Sequence, residues 1–169
     1  MLRPPDATPD APVDYIDVTR DAYAALGFPA YRWVQSEEPA PLVPPRRPLE
    51  ESRIALIASG GIYVAGQIAF HFKDDTSFRR IPTDVATAEL RATHFAYDLT
   101  DARRDPNVVF PLDTLRRLVE RGRIGSLTPH AFTFMGGIYS SRRVRDELAP
   151  AIARAVLDEG ADAALLVPV

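Results

Sequence analysis

The chain has 169 residues, of which 46% are apolar and 25% charged, and its formal net charge at pH 7 is -3. A chain of this size buries a real core, and its charge gives no footprint for nucleic acid or an acidic membrane surface. There is no cysteine, which excludes disulfides, thiolate metal sites and a Cys nucleophile within these residues.

No apolar run is long enough to cross a bilayer, and MLRPPDATPDAP at the N-terminus lacks a signal-peptide core. The expectation is a cytoplasmic protein. Lys73 is the only lysine, which reads as a coding bias toward arginine. Residues 1–12 are Pro- and Asp-rich and read as loosely attached. From Asp14, the apolar residues Tyr15, Ile16, Val18, Ala22, Tyr23 and Leu26 share a helical face, and Gly27 with Pro29 stops the helix. Tyr31, Trp33 and Val34 read as an apolar anchor. EEPAPLVPPRRP, residues 37–48, is an extended linker that cannot be helix. Residues 1–48 are therefore an N-terminal helix and Pro-rich arm, and residues 49–169 an α/β domain.

Residues 53–58, RIALIA, form a continuous apolar run that ends in Ser59-Gly60-Gly61. A strand buried on both faces, as in a parallel sheet, has this pattern. Glycines at its carboxyl end either let backbone approach a ligand or make a tight turn. The spacing matches neither a dinucleotide fingerprint nor a P-loop. Residues 62–72 are apolar and do not choose between helix and strand. In the stretch from Lys73 to Pro82, Asp75, Ser77, Arg79 and Arg80 are candidates to hold a carboxylate or phosphate, since arginine forks match such groups. A solvated loop anchored by Phe78 and Ile81 is the alternative. Residues 90–95 read as a second strand.

That strand leads into HFAYDLTDARRDPNVVFPL, residues 94–112. It concentrates His94, Asp98, Asp101, Asp105 and Asn107, with Tyr97, Val108, Val109 and Phe110 as apolar anchors. Polar groups on an anchored loop describe a functional site. The competing reading is turn chemistry by Asp and Asn. His94 is a candidate acid or base because its unperturbed pKa lies near neutrality, and Asp98, Asp105 and Asn107 are candidates to orient it or fix the loop. His71 and His130 show no metal-ligand spacing with His94, so no metal is expected.

Residues 112–121 read as a helix burying Leu115, Leu118 and Val119 and ending at Gly122. Residues 132–135 read as a strand ending in Gly136-Gly137. A helix capped by Ser140 or Ser141 then runs through Leu157, with a kink or break at Pro150. Residues 163–169 read as another buried strand. Alternating strand, loop and helix from residue 53 onward predicts a parallel α/β sheet with flanking helices.

The order and spacing of several pieces carry a family resemblance. These are the strand closing in Gly60-Gly61, residues 75–82 (DTSFRRIP), 94–98 (HFAYD), 105–112 (DPNVVFPL), 122–125 (GRIG), 134–136 (FMG) and 162–168 (DAALLVP). Together they resemble the selenoprotein B family of glycine, sarcosine, betaine and D-proline reductases, over about residues 53–169. The resemblance implies reductive C–N cleavage. A selenol or thiol attacks a substrate carbon activated by a pyruvoyl group on a partner subunit, and dithiols supply the electrons. A small amino-acid or betaine substrate and an oligomeric protein are the matching expectations, and the residue chemistry above makes Gly60, Gly61, Asp75, Ser77, Arg79, Arg80, Asp98, Asp105 and Asn107 the candidate substrate-binding residues around a catalytic His94. In that family the last strand is followed by a selenocysteine or cysteine redox motif, which these residues do not include. The expectation is a recoded UGA codon after Val169 and an α/β domain incomplete at its C-terminus. The alternative is a catalytically silent α/β subunit that binds a small acid or a partner. A racemase-like enzyme is disfavoured, because the thiols or other bases it needs are not evident.

Overall fold

The computed structural model describes residues 14–30, 34–35, 37–41 and 43–169. Tyr31, Trp33 and the segment 1–12 lie outside the described residues. The chain divides into two compact units, Met1–Pro41 and Leu42–Val169.

The first unit holds helix α1, Tyr15–Ala25. The Asp14 carboxylate caps it by accepting from Ile16 N at 3.0 Å and Asp17 N at 3.1 Å. Gly27, at φ +80°, follows its end in the left-handed conformation that glycine adopts without steric cost. Ile16, Tyr23 and Leu26 are exposed, and so is Val34, which the sequence offered as an anchor.

The second unit is built on strand β1, Arg53–Ala58. On one side, β5 (Ser126–Leu127) pairs with its first residues and β6 (His130–Thr133) with its last. On the other side, β7 (Ala163–Val167) pairs with Ile54 through Ala58. All three contacts are parallel. β3, Arg79–Pro82, adds an antiparallel strand beyond β6. The fold is thus mixed α/β with a mostly parallel sheet flanked by helices. β2 (Ile62–Val64) and β4 (Leu90–Ala92) form a separate antiparallel ribbon. The strand expected over residues 90–95 therefore stops at Ala92 and belongs to this ribbon.

Because strand side chains alternate, β1 serves two cores. Ile54, Leu56 and Ala58 pack with Ile62, Ile81, Phe110, Leu112 and Leu115 on one face. On the other, Ala55 and the partly buried Ile57 pack with Phe132, Leu148, Ile152 and Val156. The first face is covered by α2 (Thr100–Arg104) and α3 (Leu112–Glu120), the second by the 141–158 segment. Each fully buried Leu, Ile or Phe contributes about 1.5–3 kcal/mol.

The 141–158 segment consists of α4 (Ser141–Arg143), a π-turn (Val144–Leu148) and α5 (Ala149–Asp158). Ser140 caps it, accepting from Arg143 N at 3.4 Å. Pro150 lies in the first turn of α5, where its missing N–H costs little. The expected break at Pro150 is thus a π-turn just before it.

β7 corrects a further expectation. It is a strand but not a buried one: Leu165 is 41% and Leu166 67% exposed. Among the described residues only β1 pairs with it. An apolar run reports side-chain type, not the presence of neighbours.

Candidate active site

Parallel pairing brings the carboxyl ends of β1, β6 and β7 to one edge, with Ala58 in register with both Thr133 and Val167. The backbone beyond these ends is stitched together. Phe134 N donates to Ala58 O, Gly61 N to Phe134 O, Gly136 N to Ser59 O and Ser59 N to Val167 O, all at 2.9–3.1 Å. Val169 N donates to Ser59 Oγ at 2.9 Å. The glycines permit this closeness: a Cβ at Gly136 would lie 2.9 Å from Ser59 Cβ. β3 runs antiparallel to β6 with Arg79 opposite Thr133, so the 74–78 loop starts from the same edge.

His94 follows the ribbon strand β4. Gly61, at φ +68°, carries the chain beside it: Thr93 N donates to Gly61 O at 2.9 Å. His94 as a whole residue is only 8% exposed. Its ring lies 4.7 Å from Tyr97 and stacks near Phe95 at 5.9 Å. Ala96 N donates to Nδ1 at 3.0 Å. Nε2 is buried and has no hydrogen-bond partner among the described residues. A buried polar group left so costs about 1–3 kcal/mol. Burial pushes the imidazole pKa below its ordinary value. Tyr97 donates its hydroxyl to Gly60 O at 2.8 Å, and burial raises its pKa. Gly60, Gly61, His94 and Tyr97 are therefore one constellation.

Asp75, Ser77 and Arg79 form a second one. Asp75 accepts from Ser77 N at 2.9 Å, from the Ser77 hydroxyl and from His71 N at 2.8 Å. Burial works against the Asp75 charge, but these bonds outweigh it and hold the pKa below the usual range. Arg79 donates to Ile68 O at 2.7 Å and to Ser77 Oγ at 2.8 Å, and lies 4.3 Å over the Phe70 ring. These side chains line an open groove of about 600 Å³ with Gly66, Gln67 and His71. Arg80 is not part of it. As the next strand residue it leaves from the opposite face, where it reaches Glu159 at 3.8 Å.

The remaining sequence candidates hold the 94–112 loop. Asp98 accepts from Thr100 N at 2.9 Å and from its hydroxyl at 2.7 Å at the start of α2, and these bonds lower its pKa. Asp105 Oδ1 accepts from Asn107 N at 3.0 Å and Nδ2 at 2.9 Å. Asn107 Nδ2 also donates to Asp113 Oδ2 at 2.9 Å, and its Oδ1 accepts from Asp113 N at 3.0 Å. Val109 comes close to Gly60: a Cβ there would lie 3.0 Å from Val109 Cβ.

Over residues 32–169 the chain matches the model of the glycine/sarcosine/betaine reductase selenoprotein B family. The chain belongs to that family. It is 34% identical over 139 residues to the D-proline reductase subunit gamma of Acetoanaerobium sticklandii, covering 79% of this chain and 57% of that protein. It is 33% identical over 99 residues to the glycine reductase complex component B subunit gamma of Symbiobacterium thermophilum, covering 55% of this chain and 23% of the relative. To the betaine reductase complex component B subunit beta of Peptoclostridium acidaminophilum it is 27% identical over 117 residues, covering 60% and 26%. The chain thus spans 57% of the first relative and about a quarter of the other two. No solved structure matches.

Ser59, Asp113 and Asp74 were not among the site candidates read from the sequence. Ser59 adjoins the Gly-Gly pair, a local signal that was available. Asp74, at φ 46°, accepts from Tyr139 N at 2.7 Å and Ser140 N at 3.2 Å across 65 residues of sequence, which no local pattern reveals. Among the described residues no cluster of His, Asp or Glu could hold a metal, and no helix is long and apolar enough to cross a membrane.

Proposed function

We propose that this chain is a subunit of an oligomeric reductase complex that cleaves a C–N bond of a small amino-acid or betaine substrate at the carboxyl edge of its sheet. The observation that carries the reading is the gathering of Ser59-Gly60-Gly61, His94, Tyr97 and Met135-Gly136 beside the end of β7. Open α/β sheets bind ligands in the crevice outside such strand ends. In this chemistry a selenol or thiol supplies the nucleophile, a partner's pyruvoyl group the activation and a dithiol donor the electrons. The 169 residues contain no cysteine, so the nucleophile comes from outside them.

This chain's own residues then bind and position. His94 presents an imidazole to the edge. Arg79, with Asp75 and Ser77, offers the groove to the substrate, and Arg80, turned to Glu159 on the opposite face, takes no part. Asp98, Asp105 and Asn107 fix the loop that carries His94, while Gly60 and Gly61 allow the close backbone approach. The test is to assemble the chain with candidate partner subunits and follow dithiol oxidation with glycine, sarcosine, betaine or D-proline. Substrate-dependent oxidation above background is expected with at least one. Background rates with all four remove the reductase reading.

The alternative reading is a catalytically silent subunit that binds a small acid or a partner protein. Calorimetry separates the two: binding of substrate or partner without dithiol oxidation in any assembled complex is the signature of the silent subunit.

A further inference from the structure

We infer that His94 is a fixed, neutral Nε2–H donor that receives the carboxylate of the substrate, and not a residue that exchanges protons. The identity of the ligand rests on the reductase reading above, whereas the donor state rests on geometry. Ala96 N–H donates to Nδ1. A ring nitrogen that accepts carries no proton, so the neutral ring must hold its proton on Nε2. Placing a proton on Nδ1 sets one N–H against another. A second proton there would also bury a cation in a residue that is 8% exposed, beside the rings of Phe95 and Tyr97.

The Nε2–H so defined is buried with no partner among the described residues. Buried N–H groups nearly always have an acceptor. The Tyr97 hydroxyl donates to Gly60 O, and its oxygen is not within hydrogen-bonding geometry of Nε2. The acceptor therefore comes from outside these residues. A carboxylate has the matching chemistry: it only accepts, and its charge strengthens the bond from a neutral N–H. D-proline, glycine and betaine, the compounds in the relatives' names, each carry one. Phe95, which stacks near the imidazole, is 45% exposed, so the ring lies one side chain from solvent.

Nitrogen-15 NMR of the 169-residue chain tests this directly. The chain has three histidines, and loss of a signal in His94→Gln assigns the one of interest. At pH 7 the expected spectrum has a protonated Nε2 and an unprotonated Nδ1. Titration with glycine, betaine and D-proline should move the Nε2–H resonance with at least one of them, and glycinamide, which lacks the carboxylate, should not move it. Glutamine places an amide nitrogen near the Nε2 position and asparagine does not. His94→Gln should therefore keep carboxylate affinity within a few-fold, and His94→Asn should lose at least tenfold. An Nδ1–H or imidazolium form overturns the proposal, as does an Nε2–H resonance indifferent to all three carboxylates. The wild-type spectra decide even where a variant does not fold. Dithiol oxidation by the assembled complex reports separately on the reductase reading, so the two failures are distinguishable.

Discussion

Gly61 and Thr93 are in contact through backbone alone: Thr93 N donates to Gly61 O at 2.9 Å, and a Cβ at Gly61 would lie 2.0 Å from Thr93 O. This contact joins the turn after β1 to the residue before His94. It holds the backbone that leads into His94 against the glycine turn without using a side chain.

Gly61→Ala should therefore be costly. The φ of +68° is unfavourable for an L-residue by about 1–2 kcal/mol, and the backbone clash adds to it. The expected loss is at least about 2 kcal/mol, read from the midpoint of urea unfolding. Gly66→Ala is the control. Its φ is +94° but nothing lies within 4 Å of its Cβ position, so only the conformational part remains. Equal losses at both positions would show that the Thr93 contact contributes nothing.

Phe110 is the largest of the buried anchors in the 94–112 segment. Phe110 is fully buried, while Val108 is 57% exposed. Phe110→Ala should cost about 3–5 kcal/mol, and Val108→Ala should stay within about 0.5 kcal/mol of wild type. Thermal unfolding of the two variants checks the difference.

Asn107 bridges Asp105 to Asp113, and Asp113 also accepts from Thr87 Oγ1 and Arg116 Nη1 at 2.7 Å. The Asn107 bond is the main cause of the lowered Asp113 pKa, followed by Thr87 and then Arg116. A carboxylate with a depressed folded pKa adds stability above its unfolded pKa, and this is lost as pH falls through the folded value. Asn107→Ala should thus weaken the chain at neutral pH and flatten the decline in stability below the ordinary carboxylate range. Denaturant midpoints across acid pH measure both. An unchanged acid slope would mean that Asn107 does not set the Asp113 charge.

Adjacent arginines should behave differently. Arg79 holds the backbone of Ile68 and Ala69 and covers the Phe70 ring. Arg79→Ala should speed amide hydrogen exchange across residues 66–72 and destabilise the chain by about 1–3 kcal/mol. Arg80 makes a 3.8 Å pair with Glu159 from a half-exposed position, so Arg80→Ala should change stability by less than about 1 kcal/mol. Matching effects at both positions would contradict their placement on opposite faces of β3.

Much of the fold was legible because its signals are local. The apolar run 53–58 announced a strand buried on two faces, the α3 periodicity a one-sided helix, and Gly27 and Gly122 the stops of α1 and α3. Pro150 marked the break in the last helix because it cannot donate a backbone bond. The site was legible in part. Gly60, Gly61 and His94 were named and do come together, but the separation of Arg79 from Arg80 depends on the strand register, which their adjacency in sequence does not display.

The amino-acid sequence by itself determined the element types, the Gly-Gly turns at strand ends and, by the order of its motifs, the reductase selenoprotein B family. Each of these depends on residue type and short spacing. Only the tertiary structure decided that β7 is exposed, that Asn107 locks onto Asp113, and that His94 is buried with Nδ1 occupied and Nε2 unpartnered. Burial and hydrogen-bond satisfaction depend on which distant segments arrive beside a residue, and contacts such as Asp74 with Tyr139 leave no periodic trace in the chain.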